Sequence, residues 1–256
     1  MRDDITPLIL TFNEAPNIRR TLERLQWAQE IVVLDSFSDD ETIDIVRTFP
    51  NARFIQRAFN DHTSQWNHGL QHCSGQWVLS LDADYVLSEE LTRELKSFDP
   101  QTAKCAAYYA RFRYCIYGRA LRGSLYPPRA VLFRKACCRF VPDGHTQKLS
   151  IDGAIGWLRG SIDHDDRKPL SRWFWAQDRY AALEAKHLLE TPLHQLDARD
   201  RIRRYIFVAP ALVFFYTLLG KGLILDGWPG WYYVFQRTVA ETILSLRLME
   251  EKWKSS

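Results

Sequence analysis

Three carboxylates stand where apolar runs give way to polar turns. Asp82-Ala83-Asp84 follows Trp77-Val78-Leu79-Ser80-Leu81 directly, a run apolar enough to lie inside a sheet. Two carboxylates on such a turn can hold a hard divalent cation, Mg²⁺ or Mn²⁺, which bridges diphosphate oxygens and neutralises the charge on a leaving group. Asp35 closes the run Glu30-Ile31-Val32-Val33-Leu34. An acid there can accept hydrogen bonds from a ribose hydroxyl or a base imide. Thr11, Asn13 and Glu14 follow Pro7-Leu8-Ile9-Leu10 and can line a base pocket. Asn13 serves equally well as the cap of the next helix.

Further along, Asn67 is placed to reach ribose or phosphate, while its neighbour Trp66 reads as a packing residue. Val141 to Lys148 is a polar turn containing glycine. A transfer by direct displacement needs one base to deprotonate the attacking hydroxyl, and Asp143 is the candidate, with His145 to orient it or replace it. Asp163-His164-Asp165-Asp166 is a second cluster. His164 among carboxylates is a candidate third metal ligand or diphosphate contact. Arg167 and Lys168 can neutralise a diphosphate, and Trp173 or Trp175 can stack on a sugar or fill a core.

These side chains need a scaffold, and the first hundred residues supply one. Strands are expected at 7–12, 30–35, 52–56 and 77–81, and helices at 15–27, 41–48 and 64–73. Asp39 or Asp40 is expected to cap the second helix. This βαβα order predicts an α/β fold with a mainly parallel sheet covered on both faces. Ligands in such sheets bind beyond the carboxyl ends of the strands, where all three clusters converge. Strands are expected at 106–114, 129–134 and 154–158, then a long helix over 170–189 begun by Pro169. The catalytic domain is read as 1–195, with a nucleotide-binding half to residue 100 and an acceptor half beyond it.

Residues 196–256 change character. Arg199, Arg201, Arg203 and Arg204 precede an apolar stretch, 206–219, that carries Pro210 and is shorter than the roughly 20 residues a bilayer span needs. A helical segment lying in or re-entering the cytoplasmic leaflet of an inner membrane fits that arginine cluster, with Trp228, Trp231, Tyr232 and Tyr233 at head-group depth. A buried hairpin or a dimer interface is the plainer alternative. The formal net charge of +3 and the absence of long basic runs argue against a nucleic-acid partner. Five cysteines without paired spacing fit free thiols in a reducing compartment.

Assembled, these motifs resemble the family 2 glycosyltransferases of the GT-A fold, and within them the bacterial lipopolysaccharide core β-glucosyltransferases. The resemblance is carried by 10–18, by 32–42, by Gln65-Trp66-Asn67-His68-Gly69, by Leu81-Asp82-Ala83-Asp84, by Asp143-Gly144-His145, by Ile162-Asp163-His164-Asp165 and by Leu225-Asp226-Gly227. It implies a nucleotide-sugar donor, UDP-sugar favoured, and a lipid-linked saccharide acceptor. It implies Asn13, Glu14 and Asp35 at the nucleotide, Asp82 and Asp84 at metal and donor sugar, and inversion at the anomeric carbon. Thr146 stands where many relatives carry a glutamate after the histidine, which leaves Asp143 as the base. The Gln-x-x-Arg-Trp motif of processive synthases is missing, so one sugar per encounter is expected. A polyprenyl-phosphate acceptor, a nucleotidyltransferase and a non-catalytic membrane-surface protein are the alternatives. The second would ordinarily show a glycine-rich loop after the first strand, where this chain has Asn13-Glu14-Ala15-Pro16.

Overall fold

The computed structural model describes residues 4–143 and 146–254. The chain forms two compact units, residues 1–114 with 126–167, and residues 115–125 with 168–256.

The first unit runs β1 (Ile5–Thr11), α1 (Ile18–Glu23), β2 (Ile31–Asp35), α2 (Thr42–Arg47), β3 (Ala52–Gln56), α3 (His62–His72), β4 (Trp77–Asp82), β5 (Tyr85–Leu87) and α4 (Glu89–Ser97). It continues through β6 (Ala107–Ile116), whose last two residues belong to the second unit. After the β7 excursion (Arg119–Ala120) it resumes with β8 (Arg129–Arg134), β9 (Cys138–Asp143), β10 (Thr146–Ile151) and β11 (Ile155–His164). The sheet order is β3-β2-β1-β4-β8-β6-β11-β5, and β9 and β10 form a separate hairpin. β3, β2, β1 and β4 are parallel, as their apolar runs predict. Leu8, Val32 and Val78 enter the core beneath α3, while Ile9, Val33 and Leu79 enter the core beneath α1 and α2. That alternation of neighbours between two cores is why these strands read as unbroken hydrophobic runs.

Two elements differ markedly in extent from expectation, and one cap differs in identity. Regular helix over the expected 15–27 is confined to Ile18–Glu23, because Asn13 to Asn17 is held in turns by bonds to another loop. The N-cap of α2 is Glu41, without a side-chain capping bond, rather than Asp39 or Asp40; Asp40, one residue earlier, accepts the Thr42 N–H at 2.9 Å. β11 extends ten residues to His164 instead of ending at 158.

β11 carries a bulge between Trp157 and Ser161, which leaves ladder donors unpaired. The Glu94 carboxylate of α4 takes the freed N–H groups of Arg159 at 2.9 Å and Gly160 at 3.0 Å. α4 can approach this closely only because residue 160 lacks a side chain. A Cβ there would meet the Leu91 backbone nitrogen at 2.3 Å. Gly160→Ala is therefore expected to cost about 1–3 kcal/mol of stability by forcing α4 off the bulge. A thermal melt unchanged from the native protein would show that this contact yields without cost.

The second unit holds α5 (Leu170–Glu190), α6 (Ala198–Arg203), α7 (Val208–Phe215) and α8 (Trp228–Lys254). α5 matches the expected helix almost to the residue, but it packs with α8 through Ala181, Ala185, Leu188, Leu244 and Leu248. The two compact units divide after Arg167. Arg203 is held inside by Glu241 at 2.9 Å and Glu184 at 3.0 Å. Asp226 receives the Arg122 backbone N–H at 3.0 Å and its Nε at 2.7 Å, which ties the 225–227 motif to the β7 excursion. Gly222 and Gly227, at φ 68° and 63°, make the left-handed breaks on either side of that motif. The apolar stretch forms α7 and a wider turn over 216–220, and no helix among the described residues is long and apolar enough to cross a membrane. All five cysteines are free thiols.

Candidate functional site

β1, β2 and β4 end side by side. Thr11 lies in register with Asp35, and Leu10 with Asp82. The polar turns after them meet at one carboxyl edge, as the strand order requires.

The turns after β1 and β2 are laced together. The Asn13 backbone N–H donates to Ser38 Oγ at 2.8 Å, and its side-chain amide donates to Asp39 Oδ1 at 2.7 Å. Asn13 Oδ1 in turn accepts the Asp39 N–H at 3.0 Å. The Glu14 N–H donates to Thr42 Oγ1 at 2.8 Å and the Ala15 N–H to Asp40 at 3.1 Å. Asn13 sits at φ 56°, the left-handed region asparagine tolerates best among residues with a Cβ.

Asp35 lies beneath this lacing and is fully buried, 0% exposed. It accepts from Thr11 Oγ1 at 2.8 Å, from the Ser38 N–H at 2.8 Å and hydroxyl at 2.5 Å, and from Gln56 at 3.4 Å. This carboxylate, expected at the nucleotide, is engaged here by Thr11, Ser38 and Gln56. Its oxygens reach a ligand only by giving up Ser38 or Gln56. Thr11 is likewise buried on Asp35. Phe37 stands above them at φ 61°, with its side chain 56% exposed. A left-handed phenylalanine costs about 1–2 kcal/mol, and burial does not hold it there.

The second focus is Asp84, half a turn beyond Asp82. Thr21 of α1 donates to the Ala83 carbonyl at 2.7 Å, which holds the loop between the two acids. Antiparallel pairing of β5 with β11 sets His164 opposite Tyr85. His164 Nε2 meets Asp84 Oδ2 at 3.1 Å. Its ring lies 4.5 Å from Tyr126, 4.8 Å from Tyr114 and 5.5 Å from Tyr85. Burial opposes charge on this imidazole, but Asp84, Asp82 and Asp166 outweigh it and hold the pKa above the usual histidine value. Its buried Nδ1 has no hydrogen-bond partner among the described residues. Tyr85 and Tyr126 share a short hydroxyl contact, and burial pushes both phenols up. The Arg129 guanidinium lies 4.9 Å from the Tyr126 ring centre. Burial works against its charge, yet the Tyr85 and Tyr126 phenols, Asp82 and Asp84 hold its pKa up.

A divalent cation fits this edge only in part. Asp82 and Asp84 are hard oxygen donors on one short loop, suited to a cation that completes its shell with substrate oxygens. His164 as third ligand does not fit, since its Nε2 is committed to Asp84. Among the described residues no three His, Cys, Asp or Glu side chains are grouped to hold a metal ion.

Asn17 forms a clasp between the first loop and the segment after β11. Wholly buried, it donates to Glu14 at 2.9 Å and to Asp166 at 2.8 Å. It accepts from Arg20 and from the Arg167 N–H, each at 2.9 Å. Arg20 and Arg167 both bind Asp165, at 2.6 and 2.9 Å. Asp163 faces the other way, onto Arg113 at 2.7 Å. Of the expected cluster, His164 meets the aspartate pair's loop through its side chain and Asp165 through its backbone N–H, which donates to the Asp84 carbonyl at 3.1 Å, while Arg167 binds Asp165.

Asn67, expected within reach of ribose or phosphate, bonds the β9 strand. Its amide donates to the Phe140 carbonyl at 2.9 Å and accepts the Phe140 N–H at 3.0 Å, while Trp66 stacks on Phe140 at 5.1 Å. Both residues dock the β9 strand on α3. The face of Trp175 carries Arg172 at 4.2 Å and Arg179 at 4.7 Å. Asp143 ends β9, paired in register with Thr146, and its side chain is not among the described features. His145 lies outside the described residues. Tyr85, Tyr126, Arg129 and the Asn17 clasp are the site residues that the motif reading missed. Tyr85 was within reach of it, as the residue directly after Asp84.

Residues 8–128 match the family model described as glycosyl transferase family 2. That span contains Asn13, Asp35, Asp82, Asp84 and Tyr126, and ends before His164. The chain is 24% identical over 214 residues to the lipopolysaccharide core biosynthesis glycosyltransferase LpsC of Rhizobium meliloti, covering 80% of this chain and 77% of that protein. It is 33% identical over 89 residues to the prophage-derived glycosyltransferase SunS of Bacillus subtilis, covering 34% of this chain and 21% of that one. An uncharacterized glycosyltransferase of Rickettsia bellii matches at 32% over 93 residues, 36% of this chain and 31% of the relative. These two matches thus span a third or less of the relatives' length. Among solved structures, an S. aureus TarS fragment aligns over 98% of this chain and 91% of its own, with a TM-score of 0.48 and 15% identity.

Proposed function

We propose, from the match of residues 8–128 to glycosyl transferase family 2, that the protein moves a single hexose from a nucleoside diphosphate sugar onto a membrane-anchored saccharide, with inversion at the anomeric carbon. The carrying observation is the convergence of the β1, β2 and β4 ends, where the laced loops adjoin the loop bearing Asp82 and Asp84. The printed name of LpsC supports an acceptor of the lipopolysaccharide core class. UDP-glucose is the donor to test first.

In this reading the laced loops bind the nucleoside, with the exposed Phe37 ring available to a base face. Asp82 and Asp84 would hold Mg²⁺ or Mn²⁺ when it is bound, and the ion would supply charge neutralisation at the diphosphate. Arg129 adds a positive charge beside the same oxygens, and the His164 ring, bonded to Asp84 through Nε2, keeps that carboxylate oriented. The acceptor hydroxyl oxygen forms its bond to the anomeric carbon as the bond to the diphosphate oxygen breaks. The nucleoside diphosphate leaves with that electron pair. Asp143, at the end of β9, is the base proposed to receive the hydroxyl proton, with His145 beside it in sequence.

Calorimetric titration of nucleoside diphosphates with and without Mn²⁺ tests this reading, run beside Asp82→Ala/Asp84→Ala. One diphosphate is expected to bind with metal and to lose at least tenfold in affinity in the variant. Binding indifferent to both metal and variant would remove the aspartates from the donor site. Pyrophosphate release from a nucleoside triphosphate would replace sugar transfer with nucleotidyl transfer.

A further inference from the structure

The second unit carries an apolar face that its own core leaves uncovered. The run from Tyr205 to Gly220 contains no charged residue. A helix apolar all round is normally buried, and this one is not. On its inner side, Ala209, Thr217 and Leu218 are buried. On its outer side, Val208, Leu212, Phe215, Tyr216 and Leu219 are 45–60% exposed. Their spacing of three and four residues makes one continuous stripe along about 20 Å of helix. Phe207, 81% exposed, and Leu225, 69% exposed, extend it at either end. Single exposed apolar residues need no explanation, but a contiguous stripe of this size marks a contact surface.

The charges around the stripe say what it contacts. Between Arg201 and Leu225 every charged residue is positive: Arg201, Arg203, Arg204 and Lys221. Arg203 is consumed by Glu241 and Glu184. Arg201 is exposed and Arg204 half-buried, and Lys221 Nζ lies 5.5 Å from the Tyr216 ring centre, at the margin of the stripe. The acids that bracket this window, Asp200 and Asp226, are paired with Arg203 and Arg122. On the β7 excursion, Tyr117 packs 6.2 Å from Trp228 and 6.2 Å from Tyr232, and Arg119 lies 5.5 Å from the Trp228 ring centre. Apolar residues on the outer face, aromatic rings beside them and cations at the rim are the distribution an interfacial helix needs at anionic head groups. A protein partner or a second copy gives no reason for the absence of acids.

We propose that the stripe on 205–225, with its cationic margin, lies in the interfacial layer of an anionic lipid bilayer without crossing it. The surface is read independently of the sugar chemistry. Only its use for bringing a lipid-linked acceptor to the site rests on the proposed function.

Sedimentation of the full chain with lipid vesicles tests it, using phosphatidylcholine alone or with a third of phosphatidylglycerol. The native protein is expected to partition at least tenfold better onto the anionic vesicles, and to release progressively as salt rises. Phe207→Ser/Phe215→Ser/Leu219→Ser is expected to lose at least tenfold in partitioning while its thermal melt stays within a few degrees. Arg204→Gln/Lys221→Gln, which leaves the apolar face intact, is expected to lose anionic preference several-fold. The proposal is overturned if the native chain ignores anionic vesicles, or if the triple variant binds them equally. A concentration-dependent dimer abolished by the triple variant, without vesicle binding, would assign the stripe to a second copy instead. None of these readouts involves turnover, so a failure here leaves the donor-binding result standing, and the reverse holds too.

Discussion

Asp84→Asn is expected to slow sugar transfer about a thousandfold, equivalent to roughly 4 kcal/mol of lost transition-state stabilisation. The amide keeps the shape of the carboxylate and can still bond the imidazole. What disappears is the negative charge that, in the proposed function, is offered to a cation at the diphosphate and that, with Asp82, raises the His164 pKa. The fold should hardly notice. The backbone carbonyl of residue 84 still accepts the Asp165 N–H at 3.1 Å, and β5 still pairs with β11. His164→Gln should cost less, about tenfold, because an orienting neighbour acts through the aspartate rather than on the substrate. Single-turnover transfer measured beside a thermal melt separates the two effects. Native rates in Asp84→Asn would leave the second acid of the pair without a part in the reaction.

Asn17→Ala should do the opposite, damaging the fold first. The removed amide served Glu14, Asp166, Arg20 and the Arg167 N–H in a site with no exposed surface. Deleting it leaves two carboxylates and a backbone donor short of partners, at about 2–4 kcal/mol. In a unit of this size the melting temperature should fall by roughly 5–15 °C. Asn17→Asp is the sharper test. It has the same shape, yet it sets a third carboxylate against Glu14 and Asp166, and it should be at least as damaging as alanine. A melt within a degree or two of native for both variants would show that the clasp contributes nothing.

The sequence was most legible where chemistry follows directly from a strand end. Unbroken apolar runs located β1, β2 and β4, and the acids after them had to share an edge once the strands were parallel. The same logic failed where a polar residue is claimed by a distant backbone. Asn67 looked suited to a sugar, but its partner is Phe140, 73 positions away. Asp35 was seen correctly at its strand end, but not its burial, because three residues downstream Ser38 folds back and closes over it. The Asp163 to Asp166 cluster could have been sorted further by the two-residue period of a strand. Asp163 and His164 must point to opposite faces, and they do, one onto Arg113 and the other onto Asp84. Tyr126 lay hidden in an irregular stretch before Pro127 and Pro128, where no periodicity announces direction, and Arg129 stood out only as the first residue of an expected strand.

The lacing of Asn13, Glu14 and Ala15 to Ser38, Asp39, Asp40 and Thr42 has a practical consequence for anyone reshaping this protein. Each loop supplies the hydrogen-bonding partners of the other, and Asn17 extends the dependency to 165–167. A graft of one loop from a relative with different donor preference would arrive without its counterparts. Residues 12–17, 35–42 and 165–167 are therefore a single transplantable part, and sequence exchange between relatives should succeed when the three travel together and fail when one travels alone.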